Sequence, residues 1–198
     1  RSGQWWAFQH YGVEPDIVCA AKGLAAAAVP CGATIFSREL HEVVAGERLR
    51  TYSTFAGHPL AMAALVATVT TLQREDVIAQ VRERSEYLDR RFQELVDRHP
   101  SVARADGIGY ARCLDLVRDA ASGQKWVPAD RYWSETADGI PEFKAGQFVA
   151  DACLERDVLL FSFTPNTLTF NPPLTISERD LETGLQALDE ALAELDAY

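Results

Sequence analysis

The residue best placed to do chemistry is Lys22, which follows a short apolar run at residues 17–20 and precedes glycine and a series of alanines. Most lysines are solvated surface groups, so a catalytic lysine needs surroundings that disfavour the charged ammonium. The apolar run is typical of a buried strand, and a lysine at its end would lose hydration among small side chains. Small neighbours also leave room for a bulky group on the amine. The pattern therefore indicates a nucleophilic amine at Lys22.

A second candidate group is the hydroxyl of Thr54, in a loop just ahead of a predicted helix start. Loop hydroxyls and the free N–H groups at a helix start together form a binding place for phosphate. Taken alone, a hydroxyl at this position more often caps the helix or completes a turn. His58, directly before Pro59, is predicted to be structural rather than an acid or base.

The elements that must position these groups alternate between strand and helix in the first part of the chain. Residues 17–20 and 33–36 are predicted strands, and residues 51–57 a loop. A helix then opens at residues 58–59, with proline near its first turn. This helix is apolar on nearly every side, which predicts that it is buried.

The second part of the chain is predicted to hold longer helices and a few paired strands. Residues 76–99 form an amphipathic helix, ended by a proline. A glycine turn and a strand follow at residues 107–117, an extended loop at 120–142 and a helix at 143–156. Residues 158–163 and 167–170 are predicted to pair as a hairpin. Ser177 and Asp180 have the spacing of a capping box that opens a final helix with one leucine face.

Composition narrows the class of protein. The 198 residues are 47% hydrophobic and carry a net charge of −10, which disfavours binding to nucleic acid and to anionic membrane surfaces. Four cysteines occur without C-x-x-C spacing, so reduced, buried thiols in a cytoplasmic protein are expected, and no metal site is predicted. No apolar stretch is long enough to span a bilayer.

Several motifs occur in order along almost the whole chain. The first runs from Arg1-Ser2-Gly3 through Trp6-Ala7, Gly12-Val13 and Pro15-Asp16-Ile17-Val18 to Ala21-Lys22-Gly23; the others are Thr54-Phe55-Ala56-Gly57-His58-Pro59, Gly107-Ile108-Gly109 and Pro172-Pro173-Leu174. In these segments the chain resembles the class III aminotransferases, fold-type I enzymes dependent on pyridoxal 5′-phosphate. The segment at residues 116–119 and the loop after it lean toward the ω-amino acid:pyruvate branch.

The resemblance assigns roles to two residues. Lys22 would hold pyridoxal 5′-phosphate as a Schiff base and then act as the base or acid of a 1,3-proton shift. Thr54 would contact the cofactor phosphate, in this family from the neighbouring subunit of a homodimer with sites at the subunit interface. The implied reaction moves an amino group from an amine or ω-amino acid to a keto acid such as pyruvate. The cofactor would supply the electron sink and the protein its orientation.

The fold that the resemblance implies is α/β, the carboxy-terminal part of a fold-type I transferase. Residues 1–74 would close the large cofactor-binding domain, and residues 75–198 would form a linking helix and a small α+β carboxy-terminal domain. Family positions for the aspartate at the pyridine nitrogen, the ring-stacking aromatic and the phosphate loop lie upstream of Arg1. The chain alone is therefore expected to be an inactive fragment of marginal stability.

Departures from the family pattern leave alternatives open. Alanines at residues 25–28 stand where many relatives have glycine and hydroxyl residues, and Cys31 replaces the leucine of P-L-G-A. Phe161-Ser162-Phe163 stands where some relatives place an arginine for a substrate carboxylate, which favours an apolar amine substrate. Other fold-type I reactions, namely racemase, aminomutase or decarboxylase chemistry, remain alternatives, as does a non-catalytic truncated fragment or assembly module.

Overall fold

The computed structural model describes residues 1–46, 53–132 and 143–198. The chain divides into two compact units. The N-terminal unit is Gln4–Ile78, and the C-terminal unit combines Arg1–Gly3 with Ala79–Tyr198. The domains expected from the sequence, residues 1–74 and 75–198, stay a prediction.

The N-terminal unit is built on a two-stranded antiparallel ribbon. Strand β1 (Ile17–Ala21) pairs with β2 (Gly32–Phe36). Helix α1 (Arg38–Ala45) follows at once, because the Ser37 side chain accepts a hydrogen bond from the Leu40 N–H at 3.2 Å and caps its first turn. The sequence analysis did not predict α1, although a serine directly after a strand was the available signal.

Helix α2 (Pro59–Arg74) corrects two predictions of burial. It contains no buried residue, and Leu60 and Val66 are 62% and 60% exposed. Strand β1 is also not buried: exposed and half-buried residues alternate along it, and Ile17 is 51% exposed. The apolar runs were correctly predicted to form a strand and a helix. Apolar composition alone does not determine which part of the protein packs against them. Exposed and half-buried residues on β1 show that neither of its faces is fully covered within the described residues.

The C-terminal unit holds a four-stranded antiparallel sheet of order β3-β4-β6-β5. Its elements are α3 (Val77–Arg98, whose first two residues belong to the other unit), β3 (Val102–Ile108), β4 (Ala111–Leu116), α4 (Ala145–Leu154), β5 (Phe161–Thr164), β6 (Thr167–Phe170) and α5 (Glu178–Asp196). Strand β3 was not predicted: the sequence analysis assigned no element between the helix at residues 76–99 and the glycine turn at residue 107. The predicted β5–β6 hairpin is present, with β5 shorter than expected.

One face of this sheet packs on helices to form the core. The leucine face predicted for α5 is confirmed, because its five leucines are all buried: Leu181, Leu185, Leu188, Leu192 and Leu195. Phe92 of α3 meets Phe170 of β6 edge to face, with ring centroids 5.5 Å apart. The predicted cap of α5 is also confirmed, since the Asp180 N–H donates to Ser177 Oγ at 3.0 Å.

The mixed arrangement of helices and sheets confirms the predicted α/β class. No described helix combines the length and the apolar character that crossing a membrane requires. The four cysteines are free thiols as predicted, but they are not all buried: Cys153 is buried, whereas Cys19 is exposed.

Candidate functional site

Lys22 lies at the junction of a strand and a tight turn. It directly follows β1 and opens a single turn of 3₁₀ helix, Lys22–Ala25. Its backbone has a φ of +54°, in the left-handed region. A side chain with a Cβ atom pays about 1–2 kcal/mol for this conformation, and such strain is concentrated at functional sites. The backbone therefore marks Lys22 independently of its side-chain chemistry.

Backbone hydrogen bonds close the segment of residues 22–28, which we call the lysine turn. The Ala27 N–H donates to the Lys22 carbonyl at 3.3 Å, and the Ala28 N–H donates to the Ala25 carbonyl at 2.9 Å. Ala26 and Ala27 are also left-handed, with φ of +49° and +58°. The turn thus holds three non-glycine residues in a costly conformation.

The side chain of Lys22 is exposed, which corrects the expectation that it is desolvated. The expectation rested on a buried β1, and β1 is accessible in the described chain. The amine has no hydrogen-bond or ion-pair partner among residues 1–46, 53–132 and 143–198. A Cβ added at Gly23 would meet no atom within 4 Å, so open space adjoins the lysine. The amine is unengaged and has room for a bulky group.

Thr54 lies in a compact loop that leads into α2. The Ala56 N–H donates to the Ser53 carbonyl at 2.9 Å, which folds a turn around the threonine, whose side chain is exposed. His58 is structural, as predicted: its Nδ1 accepts the Leu60 N–H at 3.2 Å and caps α2. Nδ1 thus serves as a hydrogen-bond acceptor at the helix start.

Helix α2 connects the two candidate residues. The 3₁₀ turn that begins at Lys22 packs against α2, and α2 begins at Pro59, soon after Thr54. Ala25, at the end of the 3₁₀ turn, is 1% exposed. The structure records no hydrogen bond between Lys22 and Thr54 among the described residues, so it brings together their elements but not their side chains.

A cleft of 610 Å³ lies within the N-terminal unit beside the Thr54 loop. Residues 29–32 form one wall, and residues 53, 55–58 and 60–62, including the exposed ring of Phe55, form the other. The lining is mostly apolar, with His58 and Ser53 as polar exceptions. Neither Lys22 nor Thr54 lines it. The cleft is an accessible recess next to the loop that carries the predicted phosphate ligand.

The groups present suit a ligand that carries both an aldehyde and a phosphate. A free primary amine condenses with a carbonyl group to form a C=N bond, which is the covalent chemistry open to lysine. An exposed threonine hydroxyl in a turn before a helix can donate to a phosphate oxygen. The open space at Gly23 admits a ring attached to the Lys22 nitrogen. The described residues therefore fit pyridoxal 5′-phosphate at these two points.

Besides α1 and β3, sequence reasoning missed two further features of the structure. One is the left-handed backbone of the lysine turn, because a run of alanines predicts no positive φ. The other is His99, a buried residue whose two ring nitrogens lie 2.5 Å from Asp196 and 2.8 Å from Asp189. Histidine before proline at a helix end suggested only a stop signal. This cluster joins the end of α3 to α5.

Comparison with known proteins gives consistent results. The family described as Aminotransferase class-III matches residues 1–192. A putrescine–pyruvate aminotransferase of Pseudomonas aeruginosa is 31% identical over 92% of this chain, and an acetylornithine aminotransferase of Thermosynechococcus vestitus is 33% identical over all of it. The chain spans 37% and 42% of the lengths of these relatives.

Solved structures show the same likeness. An S-selective transaminase from Arthrobacter sp. matches the whole chain with a TM-score of 0.90 and 32% identity, and the chain covers 42% of it. A taurine:2-oxoglutarate aminotransferase from Bifidobacterium kashiwanohense, in complex with PLP and glutamate, matches 99% of the chain with a TM-score of 0.87 and 26% identity, and 42% of that protein is covered. The predicted fold, part of a fold-type I transferase, is confirmed.

Proposed function

This chain belongs to the class III aminotransferases, and from that premise we propose that it is the lysine-bearing part of a pyridoxal phosphate-dependent transaminase. The observation that carries the proposal is Lys22: an unengaged amine at the end of β1, in a left-handed turn with open space beside it. The parent enzyme would move an amino group from a donor amine to a keto acid. The described chain supplies the attachment point for the cofactor.

Lys22 would perform two tasks in succession. Its amine would first bind the cofactor through the aldehyde carbon. When the donor's amine displaces it, the freed Nζ would take a proton from the donor's Cα and return it to the cofactor carbon that bore the aldehyde oxygen. Pyridoxal phosphate, when bound, accepts the electron pair left by that proton. Proton transfer by a positioned amine is ordinary general acid–base catalysis.

Thr54 would hold the cofactor phosphate through its hydroxyl. Support comes from its exposed side chain in a turn that leads into α2. We place this contact across the interface of a homodimer, where Thr54 of one subunit serves the site of the other. No hydrogen bond joins Lys22 and Thr54 within the described part of one chain, which is compatible with that arrangement.

The amino donor would be an amine or ω-amino acid, and the acceptor a keto acid such as pyruvate. The putrescine–pyruvate relative supports this pairing. Phe161 and Phe163 are 61% and 68% exposed, in the neighbourhood where some relatives have an arginine for a carboxylate. Apolar side chains there favour a donor that lacks a second carboxylate. Free thiols in all four cysteines support a cytoplasmic location.

Borohydride trapping tests the role of Lys22. The protein expressed from its complete gene is incubated with pyridoxal phosphate, reduced, digested and analysed by mass spectrometry. We expect the reduced cofactor on Lys22, and its loss in Lys22→Arg, which keeps the charge but does not form the C=N bond. Lys144→Arg, at another exposed lysine, is the matched control and should keep full labelling. Labelling at any other residue in the parent protein would refute the proposal.

Dependence on a keto acid separates transamination from the other reactions of this cofactor. Donor amine should be consumed only when pyruvate or another keto acid is added, with one amino product formed per donor used. Racemisation, an internal amino shift or release of carbon dioxide without a keto acid would instead support racemase, aminomutase or decarboxylase chemistry.

A further inference from the structure

The N-terminal unit has little buried surface, and one buried residue lies in the lysine turn. Among residues 4–46 and 53–78, Ala25 and Val77 are the two that are buried. Val77 lies at the start of α3, far along the sequence from Lys22. Ala25 ends the 3₁₀ turn that Lys22 begins, and that turn packs on α2. Ala25 is therefore the buried residue through which the lysine turn packs on α2.

The burial of Ala25 matters because the backbone conformation of the lysine turn is energetically unfavourable. Lys22, Ala26 and Ala27 all have positive φ, and such residues persist only where the surrounding structure holds them. Exposed side chains at positions 26–28 provide no packing. What holds the turn is its backbone hydrogen bonds, the burial of Ala25 and the half-buried side chain of Leu24. The methyl group of Ala25 thus helps to keep the backbone of Lys22 in the left-handed region.

We propose that Ala25 is a positioning residue for Lys22: its packing holds the lysine turn, so the size of side chain 25 governs how pyridoxal phosphate is bound. This inference rests on the proposed function of Lys22. At 1% exposure the methyl group of Ala25 is enclosed by neighbouring atoms, and a larger side chain at such a position is expected to force side chains from their rotamers and to shift the backbone. Movement of Ala25 moves Lys22, because both belong to one closed turn.

Two alanines of the same turn provide a matched comparison. Ala25→Val enlarges the buried position, and Ala28→Val makes the identical change at an exposed position that lacks a positive φ. We expect the dissociation constant for pyridoxal phosphate to rise about tenfold or more in Ala25→Val. Ala28→Val should bind within about twofold of the parent protein, and Ala25→Ser, the smallest enlargement, within about threefold.

The second readout is the circular dichroism of the bound cofactor in the visible range, measured per mole of cofactor bound. A misplaced lysine changes the asymmetry of the cofactor's surroundings, so the band should change in Ala25→Val and stay unchanged in Ala28→Val. A variant that is merely less stable would bind less cofactor but would keep the same signal per bound molecule. Urea unfolding of each variant without cofactor provides the stability control.

The outcomes separate this inference from the function on which it rests. If borohydride does not label Lys22 in the unmutated protein, the proposed function of Lys22 and the role of Ala25 are both refuted. If Lys22 is labelled but Ala25→Val binds cofactor with parental affinity and dichroism, or Ala28→Val is equally impaired, only the role of Ala25 is overturned. Should Ala25→Val fail to fold, Ala25→Cys and Ala28→Cys repeat the comparison with a smaller enlargement, and equal binding by both would overturn the role.

Discussion

The four cysteines differ in how far water reaches their sulfur atoms. Cys153 on α4 is fully buried, and its Sγ lies 3.7 Å from the Ala187 carbonyl oxygen. Burial raises the pKa of this thiol from 9.0 to about 11, because the thiolate would lose its hydration. Burial also raises the pKa of Cys113. Cys19 is exposed on β1. Since the thiolate is the reactive form, the exposed Cys19 should react before Cys113 and Cys153.

We therefore predict that a thiol-specific reagent at pH 8 modifies Cys19 rapidly in the native protein and Cys153 only after unfolding. Peptide mass spectrometry at timed intervals checks the order. The raised pKa of Cys153 also has a consequence for stability. The part of the unfolding free energy that comes from this raised pKa is fully present below pH 9. It is lost as the pH rises toward about 11, because the thiol of the unfolded chain ionises first. Early modification of Cys153 in folded protein would contradict the assignment.

At the scale of single residues, the sequence sufficed to identify Lys22 and Thr54 as candidates but not their surroundings. Residue type and the order of motifs can be read directly from the sequence, and both residues lie within motifs. Exposure of Lys22 depends on what covers β1, which is a property of tertiary structure. The positive φ of Lys22 is set by the closed turn after it. No local pattern of alanines specifies either one.

At the scale of elements, the lysine turn stores strain that a glycine would release. Ala26 has a φ of +49° at the C-terminal end of the 3₁₀ turn, a position where glycine is preferred. Ala26→Gly should stabilise the folded state by up to about 1 kcal/mol, because the gain from relieved strain exceeds the added entropy of the unfolded chain.

Chemical denaturation of the complete protein measures this effect. Ala28→Gly is the control, because Ala28 lacks a positive φ and the same change there should be neutral or destabilising by about 1 kcal/mol. Equal shifts of the denaturation midpoint in both variants would show that the conformation of Ala26 is not the cause.

At the β3–β4 turn we expect the opposite effect, because there the replacement of a glycine by alanine should destabilise the folded protein. Gly107 has a φ of +135°, and a Cβ there would overlap the carbonyl oxygen of Ala111 on the facing strand. Gly107→Ala should therefore cost more than about 3 kcal/mol of unfolding free energy. Gly123 has a φ of +67° with no atom within 4 Å of an added Cβ, so Gly123→Ala should cost only about 1 kcal/mol. Denaturation curves of the two variants measure the difference.

The elements best predicted from the sequence were those in which apolar residues recur with helical periodicity and so form one apolar face. Helices α3 and α5 have apolar stripes opposite charge, and both are present with their stripes buried. Strand β3 was missed because it is an edge strand with Arg104 and Asp106 exposed, so it lacks an apolar face. Helix α2 was correctly predicted as a helix and wrongly predicted as buried, since uniform apolar composition specifies no direction of packing.

At the scale of the whole molecule, the two units differ in how much apolar surface they bury. The buried residues of the hydrophobic core all belong to the C-terminal unit. Among its described residues, the N-terminal unit buries Ala25 and Val77, while Tyr11, Val43 and Phe55 are each at least 70% exposed. Local stability follows local burial, so the units should open at different free energies.

Hydrogen–deuterium exchange of the 198-residue chain should therefore show lasting protection in α3, α5 and β4, with rapid exchange in β1 and α2. Thermal unfolding should be broad, or accompanied by aggregation through the exposed apolar side chains. A single sharp transition of a soluble monomer, with equal protection in both units, would contradict this prediction.

The first three residues give the molecule an unusual connectivity. Arg1 Nη1 donates to the Pro172 carbonyl at 2.7 Å, and the Tyr110 N–H donates to the Arg1 carbonyl at 2.8 Å. A Cβ on Gly3 would lie 3.1 Å from the Cα of Arg82 on α3. Arg1–Gly3 thus belongs to the C-terminal unit, and Gln4–Ile78 interrupts that unit as an insertion joined to it by two peptide connections.

Gln4–Ile78 leaves the C-terminal unit next to the place where the chain re-enters it, since Gly3 lies against Arg82 near the start of α3. A cut in the peptide bond after Gly3 would therefore leave Arg1–Gly3 attached to that unit by non-covalent contacts alone. The strength of those contacts could then be measured from the rate at which the cut segment exchanges with the same peptide in solution.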